Sequence, residues 1–202
     1  MPVPDWHGAT LYQSYWCGAT PCQWLVRGGL YRGRVSRDVD VELDQALGAI
    51  LDRLEVSYEK ARPGAYLVTL AGAHKLATNT WLVLGPQSLL VEAFFVRAPE
   101  ENAEEFARWL LAKNASMWGV HFAVDELGDV YLIGRLPHAV INEPDIDRLL
   151  GCVLTYADDS FDRALELGFG DSIRREWAWR QSRGESVANL AAFARFADPE
   201  RR

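Results

Sequence analysis

The 202-residue chain lacks most of what catalysis or membrane insertion requires. No apolar run approaches the ~18 residues of a membrane span. The best stretch, Ser88 to Val96, is interrupted by Glu92. The opening Met1-Pro2-Val3-Pro4-Asp5-Trp6 has neither a basic nor an apolar block, so no secretory signal is expected. Cysteine is scarce. Cys17, Cys22 and Cys152 form an odd set without framework spacing, which points to free thiols in a reducing compartment and a cytoplasmic location. Cys17-x4-Cys22 does not have the spacing of a redox CxxC motif, and no second Cys or His pair lies nearby to complete a zinc site. The four histidines, His7, His74, His121 and His138, share no metal spacing. There is no GxGxxG and no phosphate-binding loop. No catalytic residue, cofactor site or metal site is assigned.

What is present describes a globular protein. Hydrophobic residues make up 49% and charged residues 24%, which excludes wholesale disorder. A chain of this length makes one domain with an appendage, or at most two small ones, and can bury roughly 70% of its unfolded surface. The net charge of −7 is uneven. Residues 1–37 hold Arg27, Arg32, Arg34 and Arg37 against Asp5, a balance of +3, which leaves −10 for the rest. An acidic body argues against nonspecific duplex DNA binding, where phosphates must be neutralised.

Residues 1–37 are rich in Trp, Tyr, Gly and Arg and follow neither helical nor strand period. They read as a poorly ordered leader, or else as a stretch ahead of a true start near Val35. Residues 38–198 read as a single domain. Leu43, Leu47, Ile50, Leu51 and Leu54 recur at helical spacing. Strands follow at Ser57–Lys60, Tyr66–Leu70, Thr78–Leu84 and Ser88–Arg97, with turns at Pro63-Gly64 and Gly85-Pro86-Gln87. In the fourth strand Leu89, Val91, Ala93 and Phe95 should face one way, and Leu90, Phe94 and Val96 the other. A strand apolar on both sides must be covered on both.

Pro99-Glu100-Glu101-Asn102 opens a second helix with the stripe Phe106, Trp109 and Leu110. Trp118–Val124 and Val130–Arg135 make a further hairpin around Glu126–Asp129, and Pro137 ends the sheet. Asn142-Glu143-Pro144 starts a long helix that runs or breaks near Asp158-Asp159-Ser160. Gly168-Phe169-Gly170 then separates it from a basic helix, Ser172–Arg183. Gly184 precedes a short apolar helix, Leu190–Phe196. The hairpins dictate antiparallel pairing, so the fold class is α+β, an antiparallel sheet flanked by helices with extra helices at the C-terminal end.

Several acidic or serine-bearing clusters resemble sites without completing one. Gly170-Asp171-Ser172 echoes a serine-esterase block, but no histidine base follows His138, and a helix start capped by Asp171 or Ser172 is the cheaper reading. Asp158, Asp159 and Asp162 lack the alternation of a calcium loop, and Asp125, Glu126 and Asp129 suit a turn. Two surfaces remain. Arg174, Arg175, Trp177 and Trp179 lie on an aromatic-basic helix of a kind enriched at interface hot spots, and Phe94 and Val96 lie on the spare face of the sheet.

From about Asp38 to Phe196 the chain resembles the actinobacterial branch of the YbjN family. The likeness is carried by His74-Lys75-Leu76-Ala77-Thr78, Leu89–Phe94, Pro99–Asn102, Arg108–Asn114, Leu127–Pro137 and Ile173–Trp177. The resemblance implies a fold like the small type III secretion chaperones, often dimeric, and a regulatory or chaperone-like role, and it supplies no functional residues. The expected function is a non-enzymatic protein-binding module, chaperone- or adaptor-like, in regulation or stress response. It is expected to be a homodimer with a protein partner and no membrane contact. The alternative is a nucleic-acid-associated regulator using residues 172–183.

Overall fold

The computed structural model describes residues 40–184 together with Phe196. The leader assigned to residues 1–37, with Cys17, Cys22 and His7, lies outside the described residues, as does the helix assigned to 190–196 apart from Phe196. Helix α1 (Val41–Arg53) leads into β1 (Ser57–Arg62), β2 (Ala65–Ala71), β3 (Ala77–Leu84) and β4 (Ser88–Val96). Helix α2 (Ala103–Asn114), β5 (His121–Val124), β6 (Val130–Pro137), a 3-10 turn and α3 (Glu143–Arg183) follow. All six strands pair antiparallel in the order β1-β2-β3-β4-β6-β5. The expected α+β class is observed.

Local chemistry sets most of these elements. Asp40 caps α1, its carboxylate accepting from the amides of Glu42 at 3.0 Å and Leu43 at 3.2 Å. Leu47, Ile50 and Leu51 form its buried stripe. Gly64 turns β1 into β2 at φ +72°, a conformation that glycine adopts without a Cβ penalty. In the β5–β6 turn, Asp125 accepts from the amides of Leu127 and Asp129, both at 2.9 Å. Strand β5 starts later than expected, at His121, and β6 continues through Pro137.

One core occupies the helix side of the sheet. Leu47 and Leu51 of α1, Phe106 of α2, and Ile146, Leu149 and Phe169 of α3 pack with Tyr66, Val68, Leu82, Val91 and Leu132. As expected, β4 is buried on both sides, from Leu89 to Val96. The predicted facing of Val96 is overturned. Phe94 pairs with Tyr131 and Val96 with Val130, so Phe95 is an extra residue in a β-bulge. The bulge breaks the alternation, and both Phe95 and Val96 enter the helix-side core.

The C-terminal helices also differ from expectation. Helix α3 runs unbroken for 41 residues, through Asp158–Ser160 and through Gly168–Gly170. Asp171 and Ser172 are therefore mid-helix residues and cap nothing. A glycine inside a helix costs about 1 kcal/mol relative to alanine. Here Gly168 creates room: a Cβ would lie 3.0 Å from Phe106 and from Pro99. Pro99–Asn102 uses that room and precedes α2 instead of forming its first turn. The amides of Glu100 and Glu101 donate to the Gly168 carbonyl at 2.9 and 3.2 Å. The Asn102 side chain donates to the Leu167 carbonyl at 3.0 Å, and Glu101 accepts from the Asp171 amide at 2.7 Å. The Leu167 and Gly168 carbonyls and the Asp171 amide are thus bonded to this segment. Gly184, at φ +67°, ends the helix where the sequence placed its stop.

Candidate protein-binding surfaces

The core stripe of α3 ends at Ile173, and none of residues 174–183 is buried. Ten residues of helix, about 15 Å, run beyond it. Helical spacing sorts Arg175, Trp177, Trp179, Arg180 and Arg183 into two rows, with the exposed Arg174 in neither. Trp177 and Arg180 continue the line of Phe169 and Ile173 and are half-buried. Arg175, Trp179 and Arg183 lie at four-residue intervals on an exposed row. The Trp179 side is 46% exposed, and the Arg183 guanidinium stacks 4.9 Å from its ring centroid. Arg174 pairs with Asp171, which holds that exposed carboxyl below its usual range, and Arg180 pairs with Glu176 at 2.6 Å. Arg175 donates to Ser172 at 2.9 Å, and Ser172 in turn donates to Glu100.

The second surface is the sheet face away from the helices. Leu67, Leu90, Phe94 and Tyr131 are buried there, with Trp81, Val83 and Ile133 half-buried beside them. The rings of Phe94 and Tyr131 meet edge to face at 5.5 Å. None of these side chains belongs to the core that the helices share. Among them sits Glu92, 6% exposed, opposite Trp81 on β3 and Ile133 on β6. Burial pushes its carboxyl up to about 7, with Arg135 pulling the other way and Asp125 adding to the rise. Its Oε2 has no hydrogen-bond partner among the described residues. The sequence contained the signal for this group, because alternation places Glu92 between Leu90 and Phe94. It was read only as an interruption of an apolar run.

The remaining polar clusters hold the fold together. Asp158 accepts from three successive amides of the β2–β3 loop, Ala73 at 3.1, His74 at 2.9 and Lys75 at 2.8 Å. Burial raises its carboxyl, but those three donors outweigh it and leave it lowered. His74 pairs with Asp162 at 2.7 Å. Lys75, 2% exposed, donates to the Phe94 carbonyl at 2.6 Å. Asp44 likewise gathers Tyr66 at 2.6, Lys60 at 2.9 and the Gly64 amide at 3.0 Å, bonds that prevail over burial and lower it. His138 lies 3.0 Å from the Gly85 carbonyl, His121 is exposed, and Cys152 is a partly exposed free thiol. Among the described residues no group of three or more His, Cys, Asp or Glu could hold a metal ion, and no helix is long and apolar enough to cross a membrane.

A helix-backed antiparallel sheet with an aromatic-basic helix end defines an α+β protein whose distinctive features are surfaces. Residues 44–166 match the YbjN family, described as "Putative bacterial sensory transduction regulator". The chain belongs to that family. It is 46% identical over 153 residues to the uncharacterized protein Rv0487 of Mycobacterium tuberculosis, covering 72% of this chain and 84% of the relative. It is also 46% identical over 134 residues to the uncharacterized protein ML2442 of Mycobacterium leprae, covering 66% of this chain and 73% of the relative. Two solved complexes are similar in part. For the ExsC-ExsE complex the TM-score is 0.44 at 18% identity, covering 60% of this chain and 92% of the matched chain. For the ExoU-SpcU heterodimer of the Pseudomonas aeruginosa type III secretion system it is 0.43 at 15% identity, covering 60% and 96%.

Proposed function

We propose that this protein is a non-enzymatic, chaperone- or adaptor-like protein-binding module that acts as a homodimer in the cytoplasm, in regulation or stress response. One observation carries the reading. Helix α3 continues for ten residues past its last buried side chain and displays Trp179, stacked on Arg183, along an exposed row with Arg175. Tryptophan and arginine combine contact area with directional bonding and dominate interface hot spots. The family description supports a regulatory setting. Arg174, Arg175, Trp177 and Trp179 are the proposed partner-binding residues, whereas Phe94, 7% exposed on the far face of the sheet, offers a partner little surface. Val96 leaves that set because it lies in the core. Two of the four arginines at this end are paired with carboxylates of the same helix, which weakens the nucleic-acid alternative.

Affinity capture from the native cell, comparing wild type with a Trp179→Ala, Arg183→Ala variant, tests the reading. A protein retained by the wild type and lost by the variant supports it, whereas an unchanged set of captured proteins sinks it. Sedimentation velocity at micromolar concentration tests the homodimer, which a clean monomer would refute.

A further inference from the structure

On the far face of the sheet Leu90 is 5%, Glu92 6%, Phe94 7% and Tyr131 5% exposed, yet helices α1–α3 all pack on the other side. An apolar sheet face of this kind needs a cover, and a buried carboxyl on which Arg135 already acts through its charge still needs a hydrogen-bond donor. The Glu92 Oε2 has no such bond among the described residues. We infer that this face is a docking site for the chain's own residues 1–37, which lay an aromatic, arginine-bearing segment across Leu90, Val83 and Trp81 and bring a guanidinium to Glu92.

Three observations select that occupant. The first is charge: residues 1–37 carry +3, whereas residues 185–202 balance Glu185, Asp198 and Glu200 against Arg195, Arg201 and Arg202, for zero. The second is composition. Trp6, Trp16 and Trp24, with Tyr12, Tyr15 and Tyr31, match an apolar face that presents Trp81, Phe94 and Tyr131. The third is position. The described chain begins at Asp40, the cap of α1. Asp44, one turn later, binds the Gly64 amide at 3.0 Å, and Gly64 accepts from the Leu84 amide at 2.7 Å. The segment therefore joins the fold at the sheet end where Ala65 pairs with Val83, and Val83 with Leu90, on the far face. Thirty-seven residues can span roughly 120 Å when extended, against about 30 Å for a nine-residue strand. Phe196, by contrast, packs against the helix-side core, on the opposite side of the sheet.

The native thiols provide a test in the full chain. With Cys17→Ser and Cys152→Ser, a nitroxide on Cys22 is the single spin label, and methyl signals of the sheet report its proximity. The expected result is intensity loss at Leu67, Val83, Leu90 and Ile133, with Leu111 on α2 unaffected. No loss at those methyls overturns the inference, and so does a loss that appears only when labelled and isotope-enriched chains are mixed, which would make a second copy the occupant. A variant with Arg27, Arg32, Arg34 and Arg37 changed to glutamate should recover the lost intensity. Unchanged broadening in that variant overturns the pairing with Glu92. Labelling at Cys17 instead, with Cys22→Ser, keeps the test open if the first label perturbs folding.

Discussion

The inner and outer parts of α3 obey different rules although they form one continuous helix. Residues 143–173 place a side chain into the core at nearly every turn, from Ile146 through Leu149, Val153, Phe161 and Phe169 to Ile173. Residues 174–183 place none there, and display Trp179 and Arg183 instead. Most helical stability comes from packing an apolar face. The inner part is therefore explained by the fold, while the outer part adds a large aromatic surface that the core does not use. That difference separates architecture from the surface to which a partner-binding role is assigned.

The contrast can be broken most forcefully at Phe161. Its ring is 2% exposed and meets Phe95 edge to face at 6.5 Å. Phe161→Ala should cost about 3–5 kcal/mol in urea unfolding. A loss below about 1 kcal/mol would show that the inner helix is not built on this core.

Asp158→Ala should cost about 2–3 kcal/mol, since it leaves three loop amides without their acceptor. The pH dependence has a definite sign. The folded carboxyl is held below its unfolded value, so its contribution is complete above the unfolded pKa and disappears as pH falls through the folded one. Unfolding curves recorded from pH 6 down to pH 3 should show wild type losing more stability than the variant. Parallel curves would remove Asp158 from the account.

Gly168→Ala should cost about 1–3 kcal/mol, because its Cβ would press on Phe106 and Pro99 at 3.0 Å. If the melting temperature rises, as helix propensity alone would have it, the close approach of α2 is not limiting. The smallest effect belongs to the outer part. Trp179→Ala should leave the unfolding free energy within about 0.5 kcal/mol of wild type.

Much of this architecture was legible from local chemistry. The stripe of α1, three turns rich in Gly, Pro or Asp, and the stop at Gly184 each rest on residues close in sequence, and each was placed within a few residues. The failures share a different cause. Gly168 and Gly170 looked like a break because helix propensity is a local quantity. The groups that hold α3 together there come from Pro99–Asn102, far away in the chain. Val96 was put on the wrong face because a one-residue bulge resets a period of two, and nothing around Phe94-Phe95-Val96 announces it. The role of Asp158 was not legible because its partners are the backbone amides of a distant loop. Of the candidate surfaces, the aromatic-basic character of residues 174–183 was evident, but its division into an exposed row and a half-buried row needed the continuous helix.

The most direct measurement is photo-crosslinking in the native cell, with p-benzoylphenylalanine at Trp179 in the outer part of α3 and, in parallel, at exposed Thr155 in the inner part. A discrete protein adduct at position 179 and none at position 155 is the predicted result. No adduct at 179, or the same adducts at both positions, would contradict a partner-binding role for the end of this helix.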